Sequence, residues 1–461
     1  MVRVRAAVPL SLLIATAILV PLDAENWPQW RGPGGQGVSA EQQLPTEWQP
    51  ERNIAWKVPL PAGHSSPVIW GDRIFLTAAI EGDVIPGAKA VEHTMDGKPW
   101  IHPDSVAADR KHTFKVLALD AKTGRTLWER VAYEGPVHDA RHRDSSFAGP
   151  TAATDGRTVV AYFGPEGLYA FDVDGKPLWK VVEKFPTLGL GTGTSPVLYR
   201  DLVIIQRDEG NGERSAIMAY DTRTGTEIWR SKRNVQISWS TPVLVEAGGR
   251  TELITSATEF VIAYDPATGR ELWRTRGVES NAIHTPLVGH GLVIVTAGYP
   301  VKKVIALRPG AVADDKRVAW EYTKGTGYVL SNILYGDYLY LLTDNGIVTC
   351  LDPETGQVRY EGGRVPVPSR FMGSPVAFAG YIALTSQDGD TFMLKAGPKH
   401  DIVRTNSVGE PVSSSPAISN GRIYIRGQRH LFAIGGPEPP SPRVLNRRAP
   451  DNNQKSALTP N

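Results

Sequence analysis

The sequence predicts an all-β fold, an eight-bladed β-propeller of four-stranded antiparallel blades. Three observations carry that prediction. An apolar run, an Asp, a Gly-bearing turn and an aromatic residue recur, as "LALDAKTGRTLWER" from Leu117, "YAFDVDGKPLWK" from Tyr169, "MAYDTRTGTEIWR" from Met218 and "IAYDPATGRELWR" from Ile262. The aromatic residues, Trp128, Trp179, Trp229, Trp273, Trp320 and Tyr360, stand roughly 40 to 50 residues apart, a spacing that marks propellers and solenoids. Between them a Ser or Thr beside Pro opens a second apolar stretch, and with two variants there are eight such openings.

The chain begins with Arg3 and Arg5 ahead of an apolar run from Ala6 to Val20 and a small Ala24. That run is short for a bilayer span and has the layout of a signal peptide, expected over residues 1–24. An N-terminal extension, 25–52, leads to "NIAWKVPL" around Trp56. The openings then follow as "HSSPVIW" from His64, "AGPTAA" from Ala148, "GTSPVLY" from Gly193, "WSTPVLV" from Trp239, "HTPLVGH" from His284, "LSNILY" from Leu330, "GSPVAF" from Gly373 and "SSSPAIS" from Ser413. In the unit near Thr194, "SPVLY", "LVIIQ", "AIMAYD" and "EIWR" are the four strands. Hairpin residues such as Gly71 with Asp72, Gly336 with Asp337 and Asn420 with Gly421 join the first two. Asp-x-x-Thr-Gly joins the last two, because Asp accepts turn amides and Gly takes positive φ. The final unit lacks a fourth strand, so the strand around Trp56 is expected to close the ring. The propeller is thus expected over 53–436, followed by a disordered Pro-rich tail, 437–461.

Charge and cysteine content narrow the function. Of 461 residues, 50 are basic and 48 acidic, which gives no electrostatic case for a nucleic-acid partner. Cys350 is the only cysteine, expected to be buried and inert. It removes an intrachain disulfide, a CxxC pair, a CxxCH haem site and a lipid-bearing Cys after the leader. No further apolar run is long enough to span a membrane, so the mature chain is expected in the periplasm or secreted.

Candidate sites follow from strand direction. The recurring Trp56, Trp128, Trp179, Trp229, Trp273, Trp320 and Tyr360 are expected to wedge between blades, their indoles reaching backbone carbonyls. Loops from second to third strands, and from each fourth strand to the next blade, emerge on one face. His64 and His284 immediately precede inner strands and should point toward the channel mouth. His138 and His142 lie in the loop entering the second blade, and His93, His102 and His112 in a long insertion between Ile80 and Lys115. Imidazoles beside Glu92, Asp139 and Asp144 make His93, His102, His138 and His142 the metal candidates, although no tight ligand signature is met, so no metal is expected. Trp239, Asn332, Arg370, Arg143 and Asp144 complete the expected ligand face, with Asp208, Glu209, Asp344, Asp388 and Arg429 on the same side. Such a rim suits a polar small molecule or a peptide.

The pattern Ala-x-Asp-x-x-Thr-Gly-x-x-x-Trp resembles the tryptophan-docking repeat of the pyrroloquinoline quinone (PQQ) propeller superfamily, which includes quinoprotein alcohol dehydrogenases and BamB, a component of the outer-membrane β-barrel assembly machinery. The resemblance covers Trp27 to Gly436, and "NWPQWRGPGGQGVS" resembles the start of bacterial exported proteins with such repeats. With no nucleophile motif, metal signature or cofactor fingerprint in the chain, the first expectation is a monomeric, non-catalytic scaffold without a cofactor, binding an envelope protein or peptide, and the resemblance to BamB implies a role in envelope protein assembly. The missing lipid-attachment Cys and the first-blade insertion depart from BamB. The alternative it implies is a PQQ- and calcium-dependent oxidoreductase of an alcohol or sugar, with Trp239 stacking on the quinone and Arg370 pairing its carboxylates. The vicinal disulfide common among those enzymes is impossible with one Cys, and no motif here matches their calcium-binding Glu and Asn. A second alternative is metal or polysaccharide binding on the His-rich face.

Overall fold

A computed structural model describes residues 25–95, 97–210, 212–279 and 281–435. The expected leader and tail lie outside the described residues. Eight four-stranded antiparallel sheets form the blades, seven of them in sequential strand order. Blade 1 comprises Val68–Trp70, Arg73–Val84, Arg110–Asp120 and Thr126–Pro136, from the inside outward. Blades 2 to 7 begin at Ala153–Thr154, Val197–Tyr199, Val243–Ala247, Leu287–Gly289, Ile333–Tyr335 and Val376–Phe378. Blade 8 takes Ala417–Ser419, Arg422–Arg426 and His430–Gly435 from the chain's end and Ile54–Pro59 from its beginning, Val58 facing Leu431. That pairing closes the ring as the sequence predicts. Middle strands such as Leu292–Ala297 are buried throughout, as strands covered on both faces by neighbouring blades must be.

The repeat is explained by what it touches. The indole N–H groups of Trp56, Trp128, Trp179, Trp229 and Trp320 donate to Ala121, Val173, Thr222, Pro266 and Pro353 carbonyls, in each case in the turn between the third and fourth strands of the next blade. A Cβ on that turn's glycine, as at Gly225, would lie 2.6 Å from the docked Trp179 ring. Glycine is therefore required there by the neighbour as well as by its own φ of +70°. Trp273 departs from the pattern. Blade 5 replaces the Asp-x-x-Thr-Gly turn with a loop carrying the short helix Asp314–Arg317. Trp273 donates instead to the buried Glu252 carboxylate at 2.8 Å, and the Arg317 guanidinium lies 4.2 Å from its ring.

The Ser/Thr openings form a belt around the axis. Backbone N–H groups donate to the next blade's hydroxyl, Ser66 to Thr151, Thr151 to Ser195, Ser195 to Thr241, Thr285 to Ser331, Ser331 to Ser374, Ser374 to Ser415 and Ser415 back to Ser66. The hydroxyl of Thr285, to which Thr241 would donate, instead accepts the Trp30 indole N–H at 2.8 Å.

Trp30 belongs to the N-terminal extension, which packs against the inner strands. Trp27 pairs with Ile69, the Pro28 carbonyl accepts Thr154 N–H, Val38 pairs with Ala377 and the Glu25 carbonyl accepts the Ser419 hydroxyl. Arg31, 1% exposed, donates to the Gln36, Ser331 and Asn332 carbonyls, and burial lowers its guanidinium pKa to about 9. The extension is thus a plug against the channel wall, which sequence reading left as a plain leader to the first strand.

Candidate functional site

The loop face is built unevenly. In blade 1 the second and third strands run on past Ile80, with Glu81 facing His112, and the fourth continues until Pro136 faces Lys111. The two ends of the expected loop insertion, 81–84 and 110–114, are therefore a tall strand wall. Its remainder forms a small hairpin, His93–Met95 with Lys98–Trp100, and a bridge between Ser105–Val106 and Arg141–His142. This cap joins the loop leading to blade 3. Ser105 donates its hydroxyl to the Gly189 carbonyl, and the buried Asp139 accepts from Thr187 N–H and from the Thr187 hydroxyl.

The histidines divide by this construction. His93 is buried with Nε2 at 3.1 Å from Asp139 Oδ1. His112 is buried, its Nε2 2.7 Å from the Ala107 carbonyl, and burial lowers its pKa. His102 lies edge-on to Trp100 and to His142, with ring centres at 5.4 and 5.9 Å. His142 has Asp104 at 3.6 Å and Asp144 at 3.9 Å, while Arg143 pairs with Asp104 at 2.6 Å. His138 is exposed, and only its backbone N–H is bound, by Glu166 at 2.7 Å. Among the described residues, no three His, Cys, Asp or Glu side chains converge to hold a metal ion.

Two expected rim residues need correction. His284 is 1% exposed, with Nδ1 at 2.5 Å from the Thr296 hydroxyl and Nε2 at 3.1 Å from the Tyr328 carbonyl. Burial lowers its pKa to about 4, so the ring is neutral. Asn332 is fully buried, donating to the Thr296 hydroxyl and accepting from Leu342 N–H. Both precede an inner strand, but both side chains are spent inside the wall. His64 is partly buried, its pKa lowered to about 4 by burial and by nearby Arg426 and Arg141. Arg426 itself is 2% exposed and donates to the Ser65, Thr77 and Pro61 carbonyls.

The residues assigned to a quinone lie at separate blade junctions. Trp239 donates its indole N–H to the Gly191 carbonyl at 3.0 Å, which commits it to the junction of blades 3 and 4. Arg370 is exposed on the loop between blades 6 and 7. Of the other rim carboxylates, Asp208 and Glu209 are buried, whereas Asp344 accepts Tyr328 N–H. Cys350 is free and buried, its thiol pushed up to about 12 by burial.

Sequence reasoning missed the most deeply buried ion pair of this face. Arg233 and Asp208 are both fully buried and bound twice, Nε to Oδ1 at 2.7 Å and Nη2 to Oδ2 at 3.3 Å. Their separation in sequence offers no motif.

A family model described as outer membrane protein assembly factor BamB matches residues 46–212 and 213–370. BamB of Burkholderia pseudomallei is 24% identical over 200 residues, which are 40% of this chain and 49% of that protein, so the chain spans about half the length of the curated relative it matches. The BamB structure from Moraxella catarrhalis superposes with a TM-score of 0.52 at 16% identity, over 79% of this chain and 98% of that one. Quinohemoprotein alcohol dehydrogenase from Comamonas testosteroni superposes with a TM-score of 0.59 at 13% identity, over 94% and 82%. These two likenesses show the shared propeller fold. No helix among the described residues is long and apolar enough to cross a membrane.

Proposed function

The chain belongs to the family of the outer membrane protein assembly factor BamB, and on that premise we propose that it is an exported, non-catalytic scaffold that binds a protein or peptide in the cell envelope. The observation that supports this reading is an apolar patch on the loop face. Tyr299 is 56% exposed with its ring 4.9 Å from Tyr328, beside Val329 at 36% exposure, and Val367 on the next loop is 46% exposed. Exposed apolar groups gathered on one face favour a macromolecular partner, because contact removes them from water.

The test places a photo-crosslinking amino acid at position 329 in intact cells. A discrete adduct with an envelope protein is expected, lost in Tyr299→Ala. Stoichiometric PQQ binding with calcium, accompanied by dye-linked oxidation of an alcohol, would sink the non-catalytic reading.

A further inference from the structure

We propose that a cleft on the rim between blades 3 and 4 binds a neutral oligosaccharide. The cleft has a volume of about 370 Å³ and is lined by Glu213, Lys232, Asn234, Gln236, Glu259 and Phe260. It is distinct from the aromatic patch of blades 5 and 6, and it does not depend on the scaffold reading.

Construction of the cleft is the first argument. Residues 232–236 alternate, with Lys232, Asn234 and Gln236 exposed and Arg233 and Val235 buried. The inward pair locks the segment. Arg233 grips Asp208 and donates to the Thr255 hydroxyl at 2.8 Å, while Asp208 also accepts from Gln206 Nε2 at 3.0 Å. A loop of blade 3 lies directly on this segment, so a Cβ on Gly212 would come within 2.6 Å of the Val235 carbonyl oxygen. The outward side chains are therefore carried on a fixed frame, which lowers the cost of ordering them around a ligand.

The second argument is that these groups are uncommitted. The side chains of Glu213, Lys232, Asn234, Gln236 and Glu259 form no hydrogen bond or ion pair with described residues. Of the neighbouring cations, Arg207 is engaged with Glu183, Arg214 with Glu209 and Arg233 with Asp208, while Arg276, across from Phe260, has no ion pair among the described residues.

The chemistry selects the ligand. Two carboxylates and one ammonium repel a polyanion, and an apolar ligand would leave five polar groups unpaired. Two carboxylates that accept, two amides that do both and one ammonium that donates match a dense array of hydroxyls. The half-buried Phe260 ring, which carries the Arg274 guanidinium over one face at 5.1 Å, adds apolar surface for a sugar's C–H groups on its other face and edge. An extended peptide is recognised chiefly through backbone groups at a strand edge, whereas side chains dominate this lining.

The experiment uses the full chain and measures hydrogen exchange and calorimetric titration with hexasaccharides of glucose, N-acetylglucosamine, xylose and mannose, and with pentalysine. At least one hexasaccharide is expected to protect residues 232–236 and 258–260. Its affinity should fall at least tenfold in Asn234→Gly/Gln236→Ala, where Gly tolerates the φ of +51° at 234. Gly212→Ala, which shifts the loop carrying Glu213 away from the 232–236 segment, should weaken binding as well. The proposal is overturned if no hexasaccharide protects these segments, if only pentalysine does, or if the double variant binds as tightly as the parent with an unchanged melting temperature. Crosslinking at position 329 reads the scaffold site separately, so either reading can fail alone.

Discussion

Replacing Gly225 by Ala tests why the repeat couples its glycine to a tryptophan one blade away. Gly225 has φ +70°, and an added Cβ would stand 2.6 Å from Trp179 Cδ2. The left-handed backbone costs an alanine about 1 kcal/mol. Displacing the indole adds the strain of an overpacked site, roughly 1–3 kcal/mol. Moving it also weakens the 2.9 Å bond from Trp179 Nε1 to the Thr222 carbonyl, a further ~1 kcal/mol. The expected loss is therefore about 3–5 kcal/mol by these contributions together. Gly336 supplies the control, since its φ is +57° but nothing lies within 4 Å of its would-be Cβ. Gly336→Ala should cost only the backbone term, about 1 kcal/mol. Urea unfolding of both variants, and of Gly225→Ala in a Trp179→Ala background, separates the terms. In that background the ring is gone and the cost of Gly225→Ala should shrink to that of Gly336→Ala. Equal losses for Gly225→Ala and Gly336→Ala in the parent chain would refute the reasoning.

Three other expectations follow from buried polar groups. Arg233→Met leaves Asp208 charged and unpaired where both side chains are fully buried, so urea unfolding should show a loss of about 3–5 kcal/mol, largely recovered in Arg233→Met/Asp208→Leu. His284 and His64 are held neutral down to about 4, whereas the unfolded chain protonates each near 6.5, so stability is complete above pH 6.5 and falls as the pH drops toward 4. Unfolding free energies measured across that window should decline, and His284→Gln should remove about half of the slope. Trp30→Phe keeps the ring but loses the bond to Thr285, so it should cost about 1 kcal/mol and hasten proteolysis near the N-terminus.

The sequence made the blades legible because their chemistry is periodic. Each turn needs an Asp, a Gly and a partner indole, and the same demand repeats at every junction that keeps the turn. The belt was visible as a recurring Ser or Thr beside Pro, but only the fold shows that seven of the eight hydroxyls accept from the preceding blade. What is aperiodic was hidden. The plug carries no repeat because Trp27, Trp30 and Arg31 each answer a different blade. His284 and Asn332 show the limit of strand direction as a guide, since it fixes the face on which a residue emerges and says nothing of depth. The strand wall of blade 1 was read as a loop because "EGDV" is polar, although Glu81 and Val84 still pair with His112 and Arg110. Asp208 and Arg233 meet through packing of two loops, which no local spacing encodes.

The repeat is broken at more than one junction, in blade 7, where Tyr360 meets the His400 ring in place of a docked indole, and more fully at blade 5. The one missing belt link falls between blades 4 and 5, where Trp30 takes the Thr285 hydroxyl. Blade 5 is also where the Asp-x-x-Thr-Gly turn is lost and Trp273 turns to Glu252. On either side of this junction lie the cleft of blades 3 and 4 and the aromatic patch around Tyr299 and Tyr328. A ring held by equivalent contacts gains stability from keeping every junction alike. Local rules broken together, with substitutes such as Glu252 and Trp30 satisfying the freed groups, are expected where a sequence serves something besides the fold. The cleft and the patch that flank the junction of blades 4 and 5 are therefore where binding should be sought first, ahead of the His-rich cap, whose buried His93 and Asp139 already face each other.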